Sequence, residues 1–244
     1  MNILLSIVVW LIGIAFLTIM FPVTFIIWII ALPFDKKRVV IHWVLVYESI
    51  ILTRLVPIWK VRFEGRENTI KNKTFVIISN HQSMMDILFL NELKMRFKWI
   101  SKIETTKVPF IGWYLRMADY ITVDRGNSES KEEMLMKSYS CLKDGTSLMI
   151  FPEGTRSPDK QIAFFKRGAF QLAISARMPI LPIVIDGTGG VLPKHGLIFS
   201  GGHKINIKIL EPVYPDSFET TDPEELAAKL RALMIPVLND LRKV

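Results

Sequence analysis

The sequence predicts an α/β fold: a mixed, mainly parallel sheet flanked by helices, preceded by an N-terminal apolar helical membrane motif. From residue 60 onward, short apolar runs typical of buried strands alternate with segments of helical character. Two polar motifs, at residues 81–86 and 151–157, directly follow two such runs, as expected at the carboxyl edge of a parallel sheet. At the front, residues 1–34 contain no charged side chain, which predicts insertion into lipid.

The charge-free segment ends at Asp35, which is followed at once by Lys36, Lys37 and Arg38. A signal peptide would carry a basic start and a shorter apolar run. We therefore predict that residues 1–59 are a membrane-associated helical segment and that residues 60–244 form the α/β domain. Two arrangements fit: residues 3–32 span the bilayer once, kinked at Pro22, or residues 3–58 form a helical hairpin within one leaflet.

The composition indicates an anionic partner. Lys and Arg number 31 against 23 Asp and Glu, giving a net charge of +8, and the mean hydropathy is +0.31. The apolar front favours a phospholipid membrane, and no sequence pattern of nucleic-acid binding is found. The single cysteine, Cys141, excludes an intramolecular disulfide framework, which fits the cytoplasmic face of a membrane.

The first half of the α/β domain alternates strands with short helices. Strands are predicted at residues 60–64, 75–78, 97–100 and 120–123, and helices at residues 84–93 and 108–117. We expect Pro109 in the first turn of the second of these helices, where proline is tolerated.

The second half begins with a predicted helix at residues 130–143, in which Ser130 and Glu133 form a capping box and Gly145 supplies the stop. Strands are predicted at residues 147–151, 180–185 and 204–210, the last with one wet face, and a helix at residues 167–176. A final helix is predicted after the cap Asp222, with Leu226, Leu230 and Leu233 on one face. Pro236 is expected to kink or end it.

The first polar motif supplies a candidate general base. A histidine side chain can accept and release a proton near neutral pH, which makes His81 the candidate. If His81 sits in the turn and Asp86 in the first helical turn that follows, the two side chains meet and Asp86 fixes the imidazole tautomer. A polar helix cap is the structural alternative. No G-x-S-x-G motif supplies a protein nucleophile, so the pair suggests that the hydroxyl group of a substrate attacks.

The second motif supplies a candidate anion site. Gly154 permits a tight turn, and the guanidinium of Arg156 binds phosphate through paired hydrogen bonds. Arg125 and Lys102 also follow predicted strands, and Lys166 precedes a predicted helix whose N-terminus favours an anion. Each cation by itself is typical of a solvated surface, but their recurrence after strand ends favours a site.

Cofactor motifs are missing. Neither G-x-G-x-x-G nor a Walker A sequence is found, and no histidine pair has zinc-ligand spacing with a third ligand nearby. The sequence therefore predicts no metal and no bound cofactor.

Four blocks in order resemble the glycerolipid acyltransferase superfamily, and within it the bacterial 1-acyl-sn-glycerol-3-phosphate acyltransferases. They are His81-x4-Asp86, residues 120–125 (YITVDR), residues 151–157 (FPEGTRS) and residues 178–183 (MPILPI). The resemblance covers roughly residues 60–215. The second block departs slightly, with Thr122-Val123 where an apolar pair is commoner.

The resemblance implies acyl transfer from acyl-CoA or acyl-carrier protein to the sn-2 hydroxyl of lysophosphatidic acid, giving phosphatidic acid at the cytoplasmic face of a bacterial inner membrane. It implies catalytic roles for His81 and Asp86. It also implies substrate binding, by Lys102, Arg125, Glu153, Gly154, Thr155 and Arg156. Another lysophospholipid or lyso-ornithine lipid as acceptor, or a non-catalytic protein that binds anionic lipid, remains as an alternative.

Overall fold

The computed structural model describes residues 2–243, and its centre is a seven-stranded sheet. The strands are β1 Lys60–Glu64, β2 Val76–Ser79, β3 Phe97–Lys102, β4 Ile121–Val123, β5 Ser147–Ile150, β6 Ile180–Asp186 and β7 Lys204–Ile209. Their order across the sheet is β1-β7-β6-β2-β5-β3-β4.

The five strands from β6 to β4 run parallel, whereas β7 is antiparallel to β6 and carries β1 parallel to itself. The predicted mixed, mainly parallel sheet is therefore confirmed. Strand β7 lies between two neighbours, and its predicted wet face is only partly present: Lys204 is exposed and the Lys208 side chain is 43% exposed, whereas Asn206 is buried. Its polar Asn206 is satisfied internally, since the side chain donates to the carbonyl of Leu241.

Helices cover both faces of the sheet. They are α1 Asn2–Ala31, α2 Val39–Leu55, α3 Met85–Asn91, α4 Ile111–Met117, α5 Ser128–Lys143, α6 Gly168–Ala176, α7 Thr188–Val191 and α8 Pro223–Leu241. Helices α5, α6 and α8 bury one face in a core that includes Val76 and Leu148, and α3 packs on the other around Phe75 and Ile77. Because successive strand residues alternate between these two cores, the central strands read as unbroken apolar runs.

Two helix starts differ from the prediction. Helix α5 is capped by Asn127, whose side chain accepts from the Ser130 amide, because the Ser130 hydroxyl instead accepts from the amide of Asp124. Helix α4 begins at Ile111, so Pro109 lies before it, and Phe110 at its N-cap has a φ of 60°. A residue with a positive φ cannot continue a right-handed helix, which explains the late start.

Helix α8 continues through Pro236 to Leu241, so the predicted end at this residue is wrong, and the alternative of a kink stays a prediction. The buried stripe comprises Leu226, Leu230, Met234, Leu238 and Leu241, whereas Leu233 is exposed. This stripe lies on the core both before and after Pro236, and tertiary packing of an apolar face stabilises a helix more than intrinsic propensity does.

The N-terminal helices α1 and α2 form an antiparallel pair joined by a short turn, with Thr24 of α1 hydrogen-bonded to Glu48 of α2. Helix α1 also contacts the α/β domain. The hydroxyl of Ser6 accepts from the Phe199 amide, Phe21 packs against Tyr114, and Lys37, beyond the helix, donates to the Asp144 carbonyl. Among the described residues, α1 alone is long and apolar enough to cross a membrane by length and composition. Only 11% of its most apolar window is buried.

Candidate active site

The polar motifs meet at one edge of the sheet because β2 and β5 are parallel neighbours. The chain leaves β2 at Ser79 and reaches His81, and it leaves β5 at Ile150 and reaches Glu153. Two hydrogen bonds join the loops: the His81 amide donates to Glu153 Oε1 over 2.8 Å, and the Ser157 amide donates to the His81 carbonyl over 2.8 Å. The main chain of His81 is thus held from both sides.

The predicted contact between His81 and Asp86 is confirmed. His81 Nδ1 lies 2.7 Å from Asp86 Oδ2. An ionised carboxylate only accepts hydrogen bonds, so Nδ1 carries the proton and Nε2 keeps the free lone pair. In the part of the chain that the structure describes, Nε2 makes no hydrogen bond, and 15% of the His81 side chain is exposed. The ring therefore presents a basic nitrogen to whatever enters from solvent.

Asp86 is fully buried and is oriented by the turn that precedes it. Its Oδ2 also accepts from the amides of Gln82 and Ser83, over 2.7 and 3.0 Å. It sits in the first turn of α3, as predicted, where the helix dipole favours negative charge. Three donors on one oxygen fix the carboxylate against the imidazole, so that the carboxylate sets the ring's tautomer.

Glu153 is buried, and its two oxygens accept from main-chain amides: Oε1 from His81, and Oε2 from Ala163 over 3.0 Å. Burial raises the pKa of Glu153 from 4.5 to about 7. The two amide donors oppose this rise in pKa, and the negative charges of Asp86 and Asp159 add to it. The geometry favours a positioning role for Glu153 over the predicted contact with a substrate, which stays a prediction.

Gly154 lies between two cations. Its carbonyl accepts a hydrogen bond from the Arg125 guanidinium. On its other side, a Cβ built on Gly154 would stand 3.0 Å from Lys166 Nζ, and the φ of Gly154 is +71°. The predicted need for glycine at this turn is therefore due to the left-handed backbone, because the flexible end of the Lys166 side chain can move away from a Cβ.

The remaining predicted binding residues differ in their surroundings. Lys102 forms an ion pair with Glu104 over 2.6 Å, with both side chains about half exposed. Thr155 is exposed. Arg156 is partly buried and, among residues 2–243, has no ion pair. Their contacts with a substrate stay predictions.

Sequence reasoning missed two neighbours of the first motif. Phe151 stacks on the His81 imidazole, with ring centroids 3.9 Å apart and an interplanar angle of 8°. Gln82 donates to Asp186 over 3.0 Å, which ties the first motif to the end of β6. The sequence shows Phe151 as the apolar first residue of the second motif, but no sequence signal predicts which side chain its ring contacts. In residues 2–243 no group of three or more His, Cys, Asp or Glu side chains has the arrangement of a metal site.

A sequence model of the acyltransferase family matches residues 60–186, which include all eight predicted site residues. The chain is 36% identical over 163 residues to the chloroplastic 1-acyl-sn-glycerol-3-phosphate acyltransferase LPAT1 of Arabidopsis thaliana. It is 39% identical over 149 residues to the 1-acyl-sn-glycerol-3-phosphate acyltransferase of Pseudomonas aeruginosa. These matches confirm the resemblance drawn from the four blocks.

Coverage differs between the sequence and structural comparisons. The two alignments include 66% and 61% of this chain, and the chain spans about half the length of these curated relatives, 45% and 57%. The crystal structure of the 1-acyl-sn-glycerophosphate acyltransferase PlsC from Thermotoga maritima superposes with a TM-score of 0.82 at 27% identity. That superposition covers 99% of this chain and 96% of the other.

Proposed function

We propose that this chain, which belongs to the acyltransferase family, transfers a fatty acyl group from a thioester donor to the sn-2 hydroxyl of lysophosphatidic acid. The product is phosphatidic acid, and the donor is acyl-CoA or acyl-carrier protein. The observation that carries the proposal is the His81–Asp86 pair, in which Nε2 has no hydrogen-bond partner among the described residues and the His81 side chain is 15% exposed. The printed names of the relatives support the acceptor.

The geometry supports the following chemistry. Nε2 of His81 takes the proton from the acceptor hydroxyl as that oxygen attacks the thioester carbonyl carbon. Asp86 stabilises the imidazolium that forms, because its carboxylate remains bound to Nδ1. The tetrahedral intermediate then expels the thiolate, which takes the proton back from Nε2. One ester and one free thiol result, and the histidine returns to its starting state.

The cations near Gly154 support a phosphomonoester acceptor. Arg125 is held against the Gly154 carbonyl, and Lys166 lies across the same residue. Arg156 follows two residues later without an acidic partner in the described chain. Guanidinium and ammonium groups that are not neutralised by carboxylates favour a dianionic headgroup. An acceptor that lacks a phosphomonoester would gain less binding free energy from these cations.

Membrane association fits both substrates, whose acyl chains partition into lipid. Helix α1 exposes an apolar surface and provides the site of contact that we propose with the membrane. The net charge of +8 adds attraction to anionic phospholipid. The cytoplasmic face of a bacterial inner membrane is the compartment in which we place the enzyme.

The test is acyl transfer by purified protein in mixed micelles, with labelled acyl-CoA and acyl-carrier protein as donors. Wild type and His81→Ala are compared on lysophosphatidic acid and on a panel of lysophospholipids and lyso-ornithine lipid. Phosphatidic acid formed by wild type alone would support the proposal. Transfer to a different acceptor would keep the chemistry and overturn the substrate. Absence of any transfer by folded wild type would instead favour a protein that only binds anionic lipid.

A further inference from the structure

The imidazole of His81 is held in a plane by a contact that involves no hydrogen bond. Phe151 lies 3.9 Å from it, nearly parallel, and Trp99 lies 5.4 Å behind Phe151 with an interplanar angle of 29°. Trp99 is itself buried and packs edge-on against Phe97. The three stacked rings therefore form a continuous column that ends at His81.

The column restricts a rotation of the His81 ring that the hydrogen bond to Asp86 permits. A single Nδ1–H···O bond restrains the position of Nδ1 but permits the imidazole to rock about that bond. A ring stacked on one face opposes this rocking, because tilting would bring the imidazole edge into the phenyl face. Nε2 lies across the ring from Nδ1, so tilting of the imidazole about the hydrogen bond to Asp86 changes the direction of the Nε2 lone pair, and the stack opposes this change.

The stack also acts on the two charge states differently. The face of a phenyl ring carries negative charge density and attracts a cation above it. The imidazolium that forms during proton transfer is such a cation, whereas the neutral imidazole is not. A phenyl face at 3.9 Å in a partly buried site therefore stabilises the imidazolium as it forms during proton transfer.

We infer that Phe151 is a positioning residue for His81, one that holds the plane of the imidazole and stabilises the imidazolium that forms during proton transfer. This inference rests on the proposed function, since it assigns His81 the role of general base. Phe151 does not touch the reacting atoms; it acts through the ring on which it stacks.

Other charged groups act on His81 from the elements packed around it. Asp86 of α3 contacts Nδ1, and Glu153 of the loop after β5 contacts the main-chain amide. Asp186, at the end of β6, contacts the adjacent Gln82, and Asp159 interacts with Glu153. A substitution at Phe151 alters none of these charged groups. A change in the His81 titration in such a variant therefore measures the effect of the Phe151 ring.

The test is NMR of histidine ring protons in micelle-bound protein. The chain contains four histidines, so His81→Ala assigns the His81 signal by its loss. In wild type we expect the His81 ring protons to be shifted upfield by the ring current of Phe151. Phe151→Leu, of similar volume, should abolish this shift and lower the His81 titration midpoint by about half a pH unit. Phe151→Tyr should retain both values, and His42, edge-on to Phe97, should be unchanged in each variant.

Activity provides the second readout. Phe151→Leu should lower kcat about tenfold with KM for the acceptor near that of wild type, and its pH–rate profile should move with the His81 midpoint. A wild-type His81 signal without an upfield shift would overturn the inference even if no variant folds. An unchanged midpoint in folded Phe151→Leu would overturn it as well. If the upfield shift of the His81 ring protons is observed but wild type transfers no acyl group, the stacking of Phe151 on His81 is supported and the proposed function is contradicted.

Discussion

The main-chain amide of His81 donates a 2.8 Å hydrogen bond to the buried carboxylate of Glu153, which joins the two loops that follow β2 and β5. Because Glu153 also accepts from Ala163, one carboxyl group fixes the main chain of His81 and a segment ten residues beyond itself. The glutamate of the second motif is therefore part of the structural support of the first motif.

We expect Asp86→Asn to lower kcat by about 10²- to 10⁴-fold with little change in KM for either substrate. The amide cannot compensate the imidazolium, and its NH2 group competes for the position of the Nδ1 proton. Steady-state kinetics in mixed micelles would measure the effect. Asp216→Asn, at a side chain that is 90% exposed, serves as the matched control. An Asp86→Asn enzyme within threefold of wild type would show that the carboxylate does not assist the base.

Glu153→Gln should change how stability depends on pH. Burial raises the folded-state pKa of Glu153 from 4.5 to about 7, so the folded protein binds this proton more tightly than the unfolded chain does. The resulting stabilisation is complete below about pH 4.5 and is lost as pH rises through about 7. We therefore expect the thermal midpoint of wild type, relative to Glu153→Gln, to fall across that window.

Melting curves of both proteins in the same detergent would measure this difference. The glutamine also turns a donor toward one of two main-chain amides, which should destabilise the variant by about 1–3 kcal/mol. A difference between the two midpoints that stays constant with pH would contradict the assigned pKa. A variant as stable as wild type at every pH would contradict the two hydrogen bonds.

Arg156→Ala should raise KM for lysophosphatidic acid by about 10- to 100-fold, with kcat little changed, because a charge-assisted bond to phosphate is lost. For an uncharged-headgroup lysolipid the same variant should behave nearly as wild type. Arg62→Ala, at an exposed arginine of the edge strand β1, is the control. Equal losses on both acceptors would mean that Arg156 supports the loop and does not recognise the headgroup.

Helix α1 should lose affinity for lipid when its exposed face is charged. Ile19 and Ile26 are 67% and 56% exposed and lie two helical turns apart. We expect the double variant Ile19→Asp/Ile26→Asp to float poorly with vesicles that contain anionic phospholipid. Met136→Asp alters an equally exposed apolar residue of α5 and should float as wild type does. Undiminished flotation of the double variant would place the lipid contact elsewhere.

Much of the sheet and the His81–Asp86 contact followed from sequence, because both depend on local patterns. An unbroken apolar run predicts a buried strand whatever surrounds it, and a strand–turn–helix sequence with five-residue spacing brings His81 and Asp86 together. The polar motifs could be assigned to one edge because parallel strands share it.

The predictions were wrong where two nearby side chains compete to cap the same helix, or where packing against distant residues determines where a helix ends. Asn127 and Ser130 are both good caps, and only the bond from the Asp124 amide to Ser130 determines which one caps α5. Pro236 should stop a helix, but the buried residues on either side keep α8 continuous. The stack of Phe151 on His81 joins side chains from the two loops that follow β2 and β5, so no periodicity reveals it.

The attachment of α1 at several points along its length has a mechanical consequence. Ser6 and Phe21 contact the α/β domain, and Lys37, just beyond the helix, contacts it again. Helix α1 and the sheet edge that carries His81 therefore move together as one unit. If α1 lies in lipid, its tilt fixes the height of Nε2 above the headgroup plane. Bilayer thickness and curvature would then act on turnover directly, by changing how far a lysolipid must rise to present its hydroxyl.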